Sequence, residues 1–141
     1  MMTMASNPVA SYSKVGIETG VIAADPHKLI LMLFDGALLS IASASAHLNH
    51  KKTAEKGQSI SRAIDIISNG LRASLDIENG DELAQKLDSL YDYMCARLLH
   101  ANLKNDAAAL KEVGHLLGEL RSAWEEIAND PAVLSANRAA A

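Results

Sequence analysis

The sequence predicts an all-α protein: an antiparallel four-helix bundle with a flexible N-terminal arm and a short C-terminal helical tail. Three observations carry this. Ala (24) and Leu (19) supply 43 of the 69 hydrophobic residues, whereas Val, Ile and Thr together number 18 and aromatics only 5. Ala and Leu are strong helix formers, and β-branched and aromatic residues favour strands. The prolines stand at positions 8, 26 and 131, so 104 consecutive residues are free of helix breakers. Within that stretch, apolar residues recur every three or four positions in four blocks separated by short polar joints.

Residues 1–14 are small and polar without periodicity and read as an arm with one anchor, Tyr12. The bundle is expected over 15–129, with a helical turn near 15–24. The first helix, about 26–49, opens with Asp25 as cap and Pro26 in the first turn. Its apolar residues cover more than one face: Leu29, Leu33 and Ala37 form one row, Ile30, Phe34, Leu38 and Ile41 another. Such a helix is buried on several sides or binds something. Gly36 marks a close approach, either by a neighbouring helix of the bundle or by a partner. Asp35, inside the same run, caps something locally, bonds to the N-terminal arm, or faces solvent.

The second helix is expected at about 54–77, with Ile60, Ala63, Ile64, Ile67, Leu71 and Leu75 on its stripe and Ser74 beside them. Asn79-Gly80 is a turn dipeptide. The third, about 81–104, starts at Asp81 and carries Leu83, Leu87, Leu90, Tyr91, Met94, Leu98 and Ala101. After the Asn105-Asp106 joint comes the fourth, about 106–129, with Leu110, Val113, Leu117, Leu120, Trp124 and Ile127. Residues 130–141 form the tail. Short joints make neighbouring helices antiparallel.

Composition excludes several functions. The net charge is −4 and the longest basic cluster is Lys51-Lys52, which argues against nucleic acid. One Cys allows no intramolecular disulfide and no zinc ribbon. The longest strongly apolar run, Leu29 to Phe34, is too short to cross a bilayer, and no basic-then-apolar leader opens the chain, so membrane insertion is not expected. Catalytic patterns are equally sparse. Glu112-x-x-His115 is half of a di-iron ligand set, but no second such motif exists. His47 and His50 sit beside two lysines at a helix end, as solvated residues do. Cys95 reads as a small packed hydrophobe, and no cofactor is expected.

The strings Tyr12…Ile17-Glu18-Thr19, Asp25-Pro26-His27-Lys28-Leu29-Ile30-Leu31-Met32-Leu33-Phe34-Asp35-Gly36-Ala37, Ala63-Ile64-Asp65-Ile66-Ile67, Leu90-Tyr91-Asp92-Tyr93-Met94, Ala101-Asn102 and Trp124 stand in order across residues 12–127. In that order they resemble the flagellin-specific secretion chaperones of the FliS family. Phe34 stands where Tyr is common, and Asn69-Gly70-Leu71 where many members have Glu-Leu. The resemblance implies a cytoplasmic, non-enzymatic bundle that binds the disordered C-terminal segment of flagellin. It also implies delivery of that client to the flagellar type III export gate, with the arm acting as a removable cap. Expected client-contacting residues are Tyr12, Ile17, Leu29, Leu33, Gly36, Ile64, Ile67, Leu71, Tyr91 and Met94. Two other readings stand beside it: a chaperone or adaptor for another secretion or signalling client, and a metal-dependent bundle enzyme. Whether the chain forms a homodimer is left open by the sequence.

Overall fold

The computed structural model describes residues 25–76 and 80–129. Four helices occupy them: α1 (Pro26–Asn49), α2 (Thr53–Asp65), α3 (Glu82–Lys104) and α4 (Ala107–Glu126). There is no strand among the described residues. The expected arm, 1–14, with Tyr12, the turn near 15–24, with Ile17, and the tail, 130–141, lie outside them.

Local chemistry starts three of the four helices. Asp25 accepts from the Lys28 amide at 3.0 Å, Asp81 from Ala84 at 3.1 Å, and Asp106 from Ala108 and Ala109 at 3.0 and 3.2 Å. Each carboxylate occupies donors that the first helical turn leaves unpaired and opposes the positive end of the helix dipole. Asn105 closes α3 in the left-handed conformation (φ 52°), which Asn tolerates better than most residues. Helix α2 has no such cap; it follows a tight turn in which Lys51 takes φ 57°.

The expectation of one unbroken second helix is corrected. The chain is α-helical to Asp65, winds as a π-helical turn over Ile66–Leu71, and tightens to a 3-10 turn over Arg72–Ser74. Ser74 is exposed rather than set on the buried stripe. Its hydroxyl donates to the Leu71 carbonyl at 2.7 Å, the back-bonding expected of a helical serine.

Each helix packs on its two neighbours, α1 on α2 and α4, and α3 on α2 and α4. Polar contacts give the directions. Lys56 of α2 meets Asn102 of α3 and Arg72 meets Asp88; Arg97 of α3 meets Glu112 of α4 and His100 meets Asp106. Asp35 of α1 pairs with Arg121 of α4, and His27 with Trp124. In every pair one number rises as the other falls, so the bundle runs up-down-up-down. Between the helices lie Leu33, Phe34, Ile41, Ile60, Ile67, Met94, Leu98, Leu110, Val113 and Leu117, all buried. Removing a side chain of this size from water contributes roughly 1.5–3 kcal/mol.

Two buried features come from tertiary context. Lys56 is only 2% exposed; its ammonium donates to the Asn102 carbonyl at 2.9 Å and to the Asn105 side-chain oxygen. It thereby ties the start of α2 to the end of α3, where a cation and a donor both suit the unpaired carbonyls. Gly36 serves the bundle: a Cβ at that position would stand 3.3 Å from Cδ1 of Ile66. The close neighbour is the π turn that continues α2.

Candidate binding groove

At the end of the bundle where α1 and α3 begin and α4 ends, the four helices leave an open apolar cavity of about 380 Å³. Ile30 and Phe34 of α1, Leu71, Ser74 and Leu75 at the end of the second helical segment, and Leu83, Leu87 and Tyr91 of α3 line it. Leu120, Ala123 and Trp124 of α4 and Ile127 complete the wall. Eleven of these twelve are apolar or aromatic. Leu83, 62% exposed, and Ile127, 39% exposed, stand at its rim.

One wall is braced by a reciprocal pair. The rings of His27 and Trp124 stack at 4.6 Å between centroids with planes 7° apart. The indole Nε1 donates to the His27 carbonyl at 2.9 Å, and His27 Nε2 donates to the Trp124 carbonyl at 2.6 Å. Because a carbonyl can only accept, Nε2 carries the proton. The indole is thus fixed by its polar edge while the rest of its ring faces the groove. On the opposite wall, the Arg72 guanidinium donates to Asp88 at 2.6 Å and to Asp92 at 3.1 Å, tying the end of the second segment to α3. Burial pushes the Tyr91 hydroxyl up to about 12, so it stays protonated at neutral pH.

The structure sorts the expected contact residues. Leu71 and Tyr91 line the groove while also belonging to the core. Leu29, Leu33, Ile67 and Met94 are buried, and none of them lines the groove. Ile64 is half-buried against the core, and Gly36 sits at the α1–α2 crossing. Sequence reasoning passed over Leu75, Leu83, Leu87, Leu120, Trp124 and Ile127 as contacts. Each sits on a helical stripe and reads as core; only its place at the end of a helix distinguishes it.

The apolar surplus expected on the first helix is distributed differently. Helix α1 leaves two large hydrophobic residues exposed, Met32 and Leu39, whereas α3 leaves four: Leu83, Tyr93, Leu99 and Leu103. An 18-residue window of α1 nonetheless has mean hydropathy 1.9, so by length and composition this helix passes the test for a membrane span that its longest apolar run fails. In the bundle its buried face turns toward α2 and α4.

The polar residues singled out for chemistry are engaged in the bundle. Glu112 accepts from Tyr93 at 2.5 Å and from Arg97 at 2.8 Å, which holds its carboxyl below the usual range. His115 pairs with Glu119 at 3.4 Å. Burial pushes the Cys95 thiol up, away from the thiolate form a nucleophile needs. Among the described residues, no three His, Cys, Asp or Glu side chains gather as a metal site.

A braced, apolar, open groove at one end of a helical bundle has the form that helix-in-groove recognition uses. The chain belongs to the FliS family: the family model described as Flagellar protein FliS matches residues 8–131. The chain is 48% identical over 119 residues to the flagellar secretion chaperone FliS of Salmonella typhimurium, covering 84% of this chain and 88% of that one. It is 43% identical over 130 residues to the Escherichia coli K12 protein of the same name (92% and 96% covered). The corresponding Bacillus subtilis protein is 31% identical over 120 residues (85% of each). The protein is a flagellar export chaperone, not an enzyme.

Proposed function

We propose that this protein binds the disordered C-terminal segment of newly made flagellin in the cytoplasm. Binding there covers the segment's polymerising apolar face until the client reaches the flagellar export gate. The observation that carries the reading is the groove: an apolar cavity lined by all four helical segments, with Leu83 and Ile127 on its rim and two polar braces outside it. An amphipathic client helix inserts side chains at i, i+3 and i+4 into such a groove. Ordering a disordered client costs free energy, so further contacts outside the cavity must add to it. Leu71 and Tyr91 are the expected contact residues best placed for this role. Leu29, Leu33, Ile67 and Met94 act by shaping the core beneath it.

The described chain enters at Asp25, two residues before the His27–Trp124 brace. That position of the first described residue, close to a groove wall, supports the reading of Tyr12 and Ile17 as a cap that the client displaces. Isothermal titration with a flagellin C-terminal peptide tests the proposal. Saturable heat with a dissociation constant in the micromolar range or tighter is expected. Absence of heat at peptide concentrations of about 50 μM would overturn it. Deleting residues 1–14 leaves the helical signal intact and strengthens peptide binding if the arm is a cap.

A further inference from the structure

Three of the twelve side chains lining the groove carry a polar atom: Ser74, Tyr91 and Trp124. Two of these atoms are engaged inside the protein. The Ser74 hydroxyl donates to the Leu71 carbonyl at 2.7 Å, and the Trp124 indole to the His27 carbonyl at 2.9 Å. The Tyr91 hydroxyl differs: among the described residues it has no hydrogen-bond partner. Tyr91 is only 4% exposed and belongs to the core cluster that holds Phe34 and Leu71. Yet no wholly buried side-chain nitrogen or oxygen among the described residues lacks a partner. The Tyr91 oxygen therefore ends at open space, and the open space its residue lines is the groove.

One unpaired hydroxyl in an apolar wall decides which segments fit. In the open groove, water reaches the oxygen. A client face that fills the groove expels that water. A wholly apolar face leaves the hydroxyl stranded, and a stranded polar group weakens binding. A face with an oxygen opposite the phenol takes a hydrogen bond in the water's place. With its pKa pushed up to about 12, the phenol keeps its proton through the neutral range and stays a donor. We propose that the Tyr91 hydroxyl is the specificity-determining group of the groove: it donates to an oxygen of the client segment and so selects against segments that are merely apolar. This rests on the reading of the groove as the client site. The oxygen belongs to a polar side chain on the inserted face of the client, or to a main-chain carbonyl at the end of the client helix, where carbonyls lack helical partners.

Tyr91→Phe tests it. The change removes one oxygen that has no partner among the described residues, so the melting temperature is expected to equal that of wild type or exceed it. Affinity for the flagellin C-terminal peptide is expected to fall about fivefold to tenfold. Tyr93→Phe is the matched control. Two residues further along α3, the Tyr93 hydroxyl donates to Glu112 and its residue lines no part of the groove, so this variant binds like wild type. Peptide binding by Tyr91→Phe within about twofold of wild type, or an equal loss in both variants, overturns the inference and leaves the chaperone reading standing. If wild type itself fails to bind the peptide, it is the function that falls. Replacing the polar residues of the peptide by alanine, one at a time, then locates the oxygen. A replacement that weakens binding to wild type but not to Tyr91→Phe assigns it to that side chain; when none does so, it is a main-chain carbonyl.

Discussion

The two ends of the bundle solve opposite problems. At the end holding the α1–α2 and α3–α4 joints, Ala44, Ala101 and Ala109 have no exposed surface beside the equally buried Leu98 and Leu110, and the hollow left there is polar, lined by Lys51, Lys52, Thr53, Lys56 and Asn105. Small side chains let helices approach, short joints become sufficient, and buried Lys56 and capping Asp106 satisfy the backbone groups left over. At the other end stand Phe34, Leu87, Tyr91, Leu120 and Trp124, and the helices leave a groove between them. The comparison teaches that an apolar groove needs no added element. It arises where large stripe residues run to the helix ends and the polar ties, His27–Trp124 and Arg72–Asp88, stand outside the gap rather than across it.

The contrast can be broken by substitution. The largest effect is expected at the buried centre of α3. Leu98→Ala removes a side chain with no exposure and should cost about 3 kcal/mol, read as a lower urea midpoint at unchanged slope. A loss under about 1 kcal/mol would mean that the closed half is as loosely packed as the groove. Next comes Lys56→Met, which keeps the apolar stem and deletes both polar ties. An unpaired buried carbonyl at Asn102 costs on the order of 2 kcal/mol, and a neutral result would remove the lysine brace from the account.

An acid-range pH dependence belongs to the joint end, where two carboxylates have lowered values. The Ala109 amide foremost, with His100 and the Ala108 amide, holds the Asp106 carboxyl below its ordinary value, and the Tyr93 hydroxyl and then Arg97 do the same for Glu112. Both groups bind protons less readily folded than unfolded. Their stabilisation is therefore present above the unfolded carboxylate range, near 4, and is lost as pH falls through the lower folded values. Melting temperature should drop in that acid window, and drop less for an Asp106→Asn, Glu112→Gln double variant. Parallel profiles for the two proteins would show that this corner does not contribute. The smallest stability effect is expected at the groove rim. Leu83→Ala should change stability by less than about 0.5 kcal/mol while weakening peptide binding severalfold, which separates a binding leucine from a core one.

Most of the fold was legible because its signals are local. Asp25-Pro26, Asp81 and Asp106 announce helix starts by short-range hydrogen-bonding chemistry, and the stripes of α1, α3 and α4 follow a single period. The groove was only partly legible. Trp124 and Leu120 have the spacing of core residues, and nothing local marks a stripe position as lying at an open end. The π turn was invisible for a related reason. Ile60, Ile64, Ile67, Leu71 and Leu75 fit an unbroken α-helix, and the close approach of Gly36 to Ile66 at the start of the turn lies on another helix. Lys56 is the clearest miss. It stands four residues before Ile60 on the buried stripe, where a lysine reads as surface until the end of α3 supplies its acceptors.

The bracket between His27 and Trp124 spans 97 positions of sequence. Helix α1 leaves the ribosome first, and its α4 neighbour is the last of the four to follow. At ordinary rates of synthesis the delay is roughly 5 to 20 s. During that interval the most apolar of the described helices has only α2 to shelter it. A protein that shields another chain's greasy segment is thus born with one of its own, and an early α1–α2 hairpin is its first cover.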